Sequence, residues 1–113
     1  MATRKDSLGD ERGGGDSGVV TERRIKLKPP TLYKVLLHND HYTTREFVVA
    51  VLIGVFNKTE SDAVAIMMHV HQKGVGVAGV YPFDVAQTKV DKVHRLAREH
   101  EYPLLLTMEP EDD

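Results

Sequence analysis

The feature that most constrains this chain is an abrupt junction in its first third. An apolar run over residues 32–38 stops at Asn39-Asp40-His41, and a helical pattern restarts within a few positions at Thr43 to Val48. A connection this short holds its polar side chains between two packed elements, which makes it a natural place for a recognition site. Thr43 offers a hydroxyl as N-cap, and Glu46 three residues on would complete a capping box. The purely local alternative is that Asn39 and Asp40 make an Asx-type turn and nothing more.

Around that junction the hydrophobic pattern resolves into six elements. Tyr33, Val35 and Leu37 alternate with Lys34, Leu36 and His38, which predicts a strand with at least one buried face. Phe47, Val48, Val51, Leu52, Val55 and Phe56 fall at helical spacing over residues 44–57. Their β-branched members lower helix propensity, so packing must hold this helix. A second helix starts at Thr59 or Ser61, shows an apolar face of Ala63, Ile66, Met67 and Val70, and stops at Gly74. Residues 75–81 read as a Gly-punctuated strand, and Pro82 suits the first turn of a third helix. In that helix Ala86, Val90, Val93 and Ala97 share one face. Pro103 ends it, and residues 104–108 form a last strand. The order β-α-α-β-α-β predicts an α+β domain: a small three-stranded, mainly antiparallel sheet packed with three helices.

The domain spans residues 29–109. Residues 1–28 carry a triplet of glycines, many charges and almost no bulky side chains, so they are expected to be a disordered arm. Residues 110–113 are an acidic tail. A chain of 113 residues with a formal net charge of -2 shows no sign of nucleic-acid binding. No stretch resembles a signal peptide or a membrane span, so a cytoplasmic, monomeric protein is expected.

Chemistry is scarce. With no cysteine, thiolate metal sites and disulfides are excluded. His69 and His71 point about 200° apart on a helix and cannot chelate one ion, and His94 and His100 are also poorly spaced. No nucleophile motif and no phosphate loop is present, so no catalytic residue, metal or cofactor is expected. What does stand out is that Met67, Val70 and His71 share one helix face. If the first junction packs against that face, an amide, a carboxylate and an imidazole converge beside an apolar hollow.

Three blocks of sequence carry a resemblance. They are Asn39-Asp40-His41-Tyr42-Thr43-x-x-Glu46-Phe47-Val48, then Met67-x-x-Val70-His71-x-x-Gly74, then Gly79-Val80-Tyr81-x-x-Asp84-Val85-Ala86-x-Thr88-Lys89-Val90. Together, and closed by Pro103-Leu104 and Thr107, they resemble the ClpS family, adaptors that bring N-degron substrates to the Clp ATP-dependent protease. The resemblance implies binding of an exposed N-terminal Phe, Tyr, Trp or Leu. It assigns Asn39, Asp40 and His71 to the α-amine, and Leu37, Thr43, Arg45, Val48, Met67, Val70 and Leu104 to the side-chain pocket. It places Asp84 and Lys89 on the surface that docks on the N-terminal domain of a ClpA-type ATPase, with the arm assisting delivery. An ammonium group brings three donors and a charge, so it needs well-placed acceptors, and His71 must be neutral to act as one.

Two departures from the family pattern bear on selectivity. His41 stands where the family has a second Asp, and Thr44-Arg45 replace Pro-Met. In the family that Met acts as a gate against β-branched residues. An Arg there implies a narrowed pocket or a guanidinium laid over an aromatic ring, as in a second, specialised copy of the adaptor. The alternative is a small interaction module of the same fold that no longer binds N-degrons.

Overall fold

The computed structural model describes residues 28–111. Apart from Lys28, the expected N-terminal arm lies outside the described residues, as do the last two positions of the acidic tail. Among the described residues, the elements run β1 (Leu32–His38), α1 (Arg45–Gly54), α2 (Glu60–Lys73), β2 (Val75–Pro82), α3 (Phe83–Glu99) and β3 (Leu105–Pro110). The α+β expectation holds, with β1 in the middle of an antiparallel sheet ordered β2-β1-β3.

The alternation along β1 sorts its two faces. Val35 and Leu37 are buried under the helices together with Ala78 and Leu106, while Val77 and Leu105 on the opposite face are exposed. On α3, Ala86, Val90, Val93 and Ala97 are all buried, the stripe that their spacing predicts. Val51 and Leu52 of α1 and Ala63 and Val70 of α2 complete the core. Each fully buried Leu or Val in such a core contributes roughly 1.5–3 kcal/mol.

The boundaries differ from expectation where local chemistry intervenes. The N-cap of α1 is Thr44, whose side chain accepts from the Phe47 N–H at 3.1 Å. Thr43 is not the cap, because its hydroxyl donates to Asp40 instead. Helix α1 closes at Gly54 rather than Asn57, which adopts φ 57°, a left-handed conformation that Asn tolerates. Thr59 caps α2 through the Asp62 N–H, and Gly74 ends it at φ 92°, where a side chain would be strained. Pro82 closes β2 and occupies the N-cap position of α3 without a side-chain cap, rather than sitting in its first turn. Strand β3 also runs to Pro110, and Glu109 lies within it, 3.8 Å from the Lys34 ammonium.

Candidate functional site

Three segments meet at one end of the sheet. The Asn39 N–H donates to the Gly74 carbonyl at 2.9 Å, tying the end of β1 to the end of α2. This tie brings the polar junction alongside the His71 turn of α2. Between them lies a cavity of about 220 Å³, walled by Leu37, His38 and Asn39 of β1 and its end, Asp40, His41 and Thr43 of the junction, and Arg45 and Val48 of α1. Met67, Val70 and His71 of α2, with Leu104 before β3, close it.

Floor and lip differ in kind. Leu37, Val48, Val70 and Leu104 are buried and apolar, and Met67 is half-buried. Asn39, His41, Arg45 and His71 are exposed around the opening. The floor is tightly backed: a Cβ at Gly76 would come within 2.8 Å of Val70 Cγ2, so glycine there lets β2 approach α2. Every residue expected at the amine site or in the side-chain pocket borders this one cavity.

The junction is itself an Asx-type turn. Asp40 Oδ1 accepts from the N–H groups of Tyr42 at 2.8 Å and Thr43 at 2.7 Å, and Oδ2 accepts the Thr43 hydroxyl at 2.8 Å. Partial burial pushes the Asp40 carboxyl up. The Thr43 and Tyr42 N–H groups, the Thr43 hydroxyl and nearby His41 outweigh it and hold the pKa below the ordinary 3.8. Asp40 therefore carries a charge at the lip while its own turn takes three of a carboxylate's roughly four acceptor sites. The local reading and the recognition reading of this turn are compatible.

Arg45 crosses the opening. Its guanidinium nitrogen lies 3.2 Å from His71 Nε2. Guanidinium only donates, so a hydrogen bond at this distance requires Nε2 to be the acceptor. Sequence spacing alone does not reveal this contact, which joins the start of α1 to the end of α2. His38 was missed as a wall residue: the alternation that turns Leu37 inward turns His38 outward, where it bonds Thr107 at 2.8 Å. Only at the very end of β1 does it also border the cavity.

Asp84 and Lys89 lie away from this cavity, in the first half of α3. Five residues apart on a helix, they point about 140° from each other. Asp84 is exposed between exposed Phe83 and Val85. Lys89 is half-buried: its ammonium donates to the Val55 carbonyl at 2.7 Å and lies 5.1 Å from the Tyr81 ring centre and 5.9 Å from that of Phe56. Its ammonium thereby caps the end of α1. Among the described residues, no group of His, Asp and Glu is placed to hold a metal ion, and no helix is long and apolar enough to cross a membrane.

The fold is a small α+β domain with an apolar cavity under a polar lip, and its similarity to known proteins gives its class. Residues 28–107 match the family described as ATP-dependent Clp protease adaptor protein ClpS, and the chain belongs to that family. It is accordingly an adaptor of the Clp protease system and not an enzyme. The ClpS adapter of Myxococcus xanthus (strain DK1622) is 64% identical over 99 residues, covering 86% of this chain and 92% of the relative. That of Parvibaculum lavamentivorans is 54% identical over 103 residues, covering 91% and 94%. Among solved structures, Agrobacterium tumefaciens ClpS2 bound to L-phenylalaninamide is similar with a TM-score of 0.71 at 44% identity. That match covers 74% of this chain and all of the other.

Proposed function

We propose that the cavity binds the first residue of proteins that begin with Phe, Tyr, Trp or Leu, and that the adaptor delivers them to a ClpA-type ATPase for degradation. The observation that carries this reading is the pairing of an apolar floor with a lip of acceptors. The side chain enters over Leu37, Val48, Met67, Val70 and Leu104, with Thr43 and Arg45 at the sides. The α-ammonium meets Asn39, the charge of Asp40 and the ring of His71. That Agrobacterium ClpS2 is bound to an amino-acid amide with a free amine supports it.

Arg45 and the incoming ammonium compete for His71 Nε2, so a ligand must first move the guanidinium aside. Once displaced, that group can lie over an aromatic side chain and recover part of the lost contact, roughly 0.5–2 kcal/mol, which Leu does not offer. Selectivity for aromatic first residues over Leu follows. Side-chain burial at roughly 1.5–3 kcal/mol and charge-assisted bonds at roughly 1.5–3 each, less an association cost of roughly 4 or more, leave at most about 8 kcal/mol, which sets micromolar affinity as the ceiling.

Away from the cavity, Asp84 and Lys89 supply the contact with the N-terminal domain of the ATPase, and residues 1–28 assist hand-over, in the cytoplasm. The deciding experiment titrates a labelled Phe-initiated peptide and its N-acetylated twin. The free peptide should bind near micromolar concentration and the acetylated one should not. Equal binding of the two would overturn the amine assignment, and absence of both would favour the alternative of a same-fold interaction module that lost N-degron binding through His41 and Arg45.

A further inference from the structure

The wall made by Arg45 and Met67 has two sides. On one is the cavity just described. On the other is a shallow apolar groove of about 470 Å³ between α1 and α2, lined by Arg45, Glu46, Val49, Ala50, Ile53 and Met67. Of its apolar residues, Val49 and Met67 are half-buried and pack against the core, while Ile53 is 39% exposed and Ala50 is exposed, outside it. Solvent-facing helix positions ordinarily carry polar side chains, yet here Ala50 and Ile53 extend the apolar surface of Val49 and Met67 outward.

We infer that this groove is a second subsite, taking an aliphatic side chain from one of the two substrate residues that follow the anchored one. The inference rests on the pocket reading, because it is the pocket that fixes where the chain begins. With its amine on the lip and its side chain on the floor, the first residue can leave only through the opening. One or two further residues span roughly 3.5–7 Å of extended chain, enough to cross the Arg45–Met67 wall. What lies beyond that wall is apolar, with charge only at the Arg45 and Glu46 end. Displacing Arg45 from His71 also sets its guanidinium between pocket and groove, so filling one shapes the edge of the other.

The test measures three peptides, Phe-Leu-Gly, Phe-Gly-Leu and Phe-Gly-Gly with a common labelled tail, together with phenylalanine amide. One of the Leu peptides should bind about fivefold tighter than Phe-Gly-Gly, the effect of partly burying one Leu. That gain should vanish in Ala50→Glu and in Ile53→Gln, while both variants bind phenylalanine amide as the wild type does. Both positions are solvent-facing, and circular dichroism of each variant checks that it is folded. If all three peptides bind equally, or the gain survives both substitutions, the groove is not a subsite and the pocket reading stands. If phenylalanine amide and all peptides fail to bind the wild type, the pocket reading falls and this inference with it.

Discussion

Asp40 sits where turn geometry and recognition meet, and replacing it separates its structural share from its charge. Asp40→Ala leaves the N–H groups of Tyr42 and Thr43 and the Thr43 hydroxyl without their acceptor. Bonds to a charged group are worth roughly 1.5–3 kcal/mol each, but this turn is only partly buried, so water replaces most of that. For all three together we expect a loss of about 2 kcal/mol, the upper end of what a helix cap contributes. In a domain of this size that lowers Tm by about 10 °C. Asp40→Asn keeps one acceptor oxygen for the two N–H groups and should lose about half as much. Since the folded carboxyl titrates below the ordinary 3.8, its ionised form stabilises the fold. That contribution is complete above the ordinary value and is lost as pH falls through the lower, folded one. Urea unfolding followed by circular dichroism, repeated from about pH 6 to about pH 2.5, should therefore show the gap between wild type and Asp40→Asn closing at the acid end. A gap that stays constant over that range, or an Asp40→Ala variant within about 0.5 kcal/mol of wild type, would refute the argument.

Three further outcomes follow from the site. Arg45→Met should raise affinity for Leu-initiated peptides about tenfold while changing Phe-initiated ones much less; equal wild-type affinities for the two, unchanged in the variant, would contradict the gating role. Because the ring supplies one acceptor of the lip, His71→Ala should weaken binding of Phe-initiated peptides about tenfold. A His71→Ala variant that binds as tightly as the wild type would take the ring out of the amine site, leaving His38 and His41 as the other imidazoles bordering the cavity. Removing residues 1–28 should leave peptide affinity intact but slow degradation by the reconstituted protease; degradation at the full rate would make the arm a passive tail.

Much of the fold was legible because the signals are local. Alternation marked β1, spacing marked the buried stripe of α3, and Gly74 marked the end of α2, each from a few neighbouring side chains. Caps were less legible. Thr43 and Thr44 are equivalent as sequence, and what distinguishes them is that Asp40 has already taken the Thr43 hydroxyl. Convergence of Asn39 and His71 was conditional in the sequence and became definite only through the Asn39–Gly74 backbone bond.

The order of elements, the α+β class, the apolar faces and the types of residue available for binding are fixed by the chain itself, since each depends on residues within a turn or two of one another. The three-dimensional arrangement decided the rest. Arg45 meets His71 across 26 positions and Lys89 meets Val55 across 34. Contacts of that span depend on how whole helices pack, and no local pattern encodes them. The same packing left a cavity on one side of the Arg45–Met67 wall and a groove on the other.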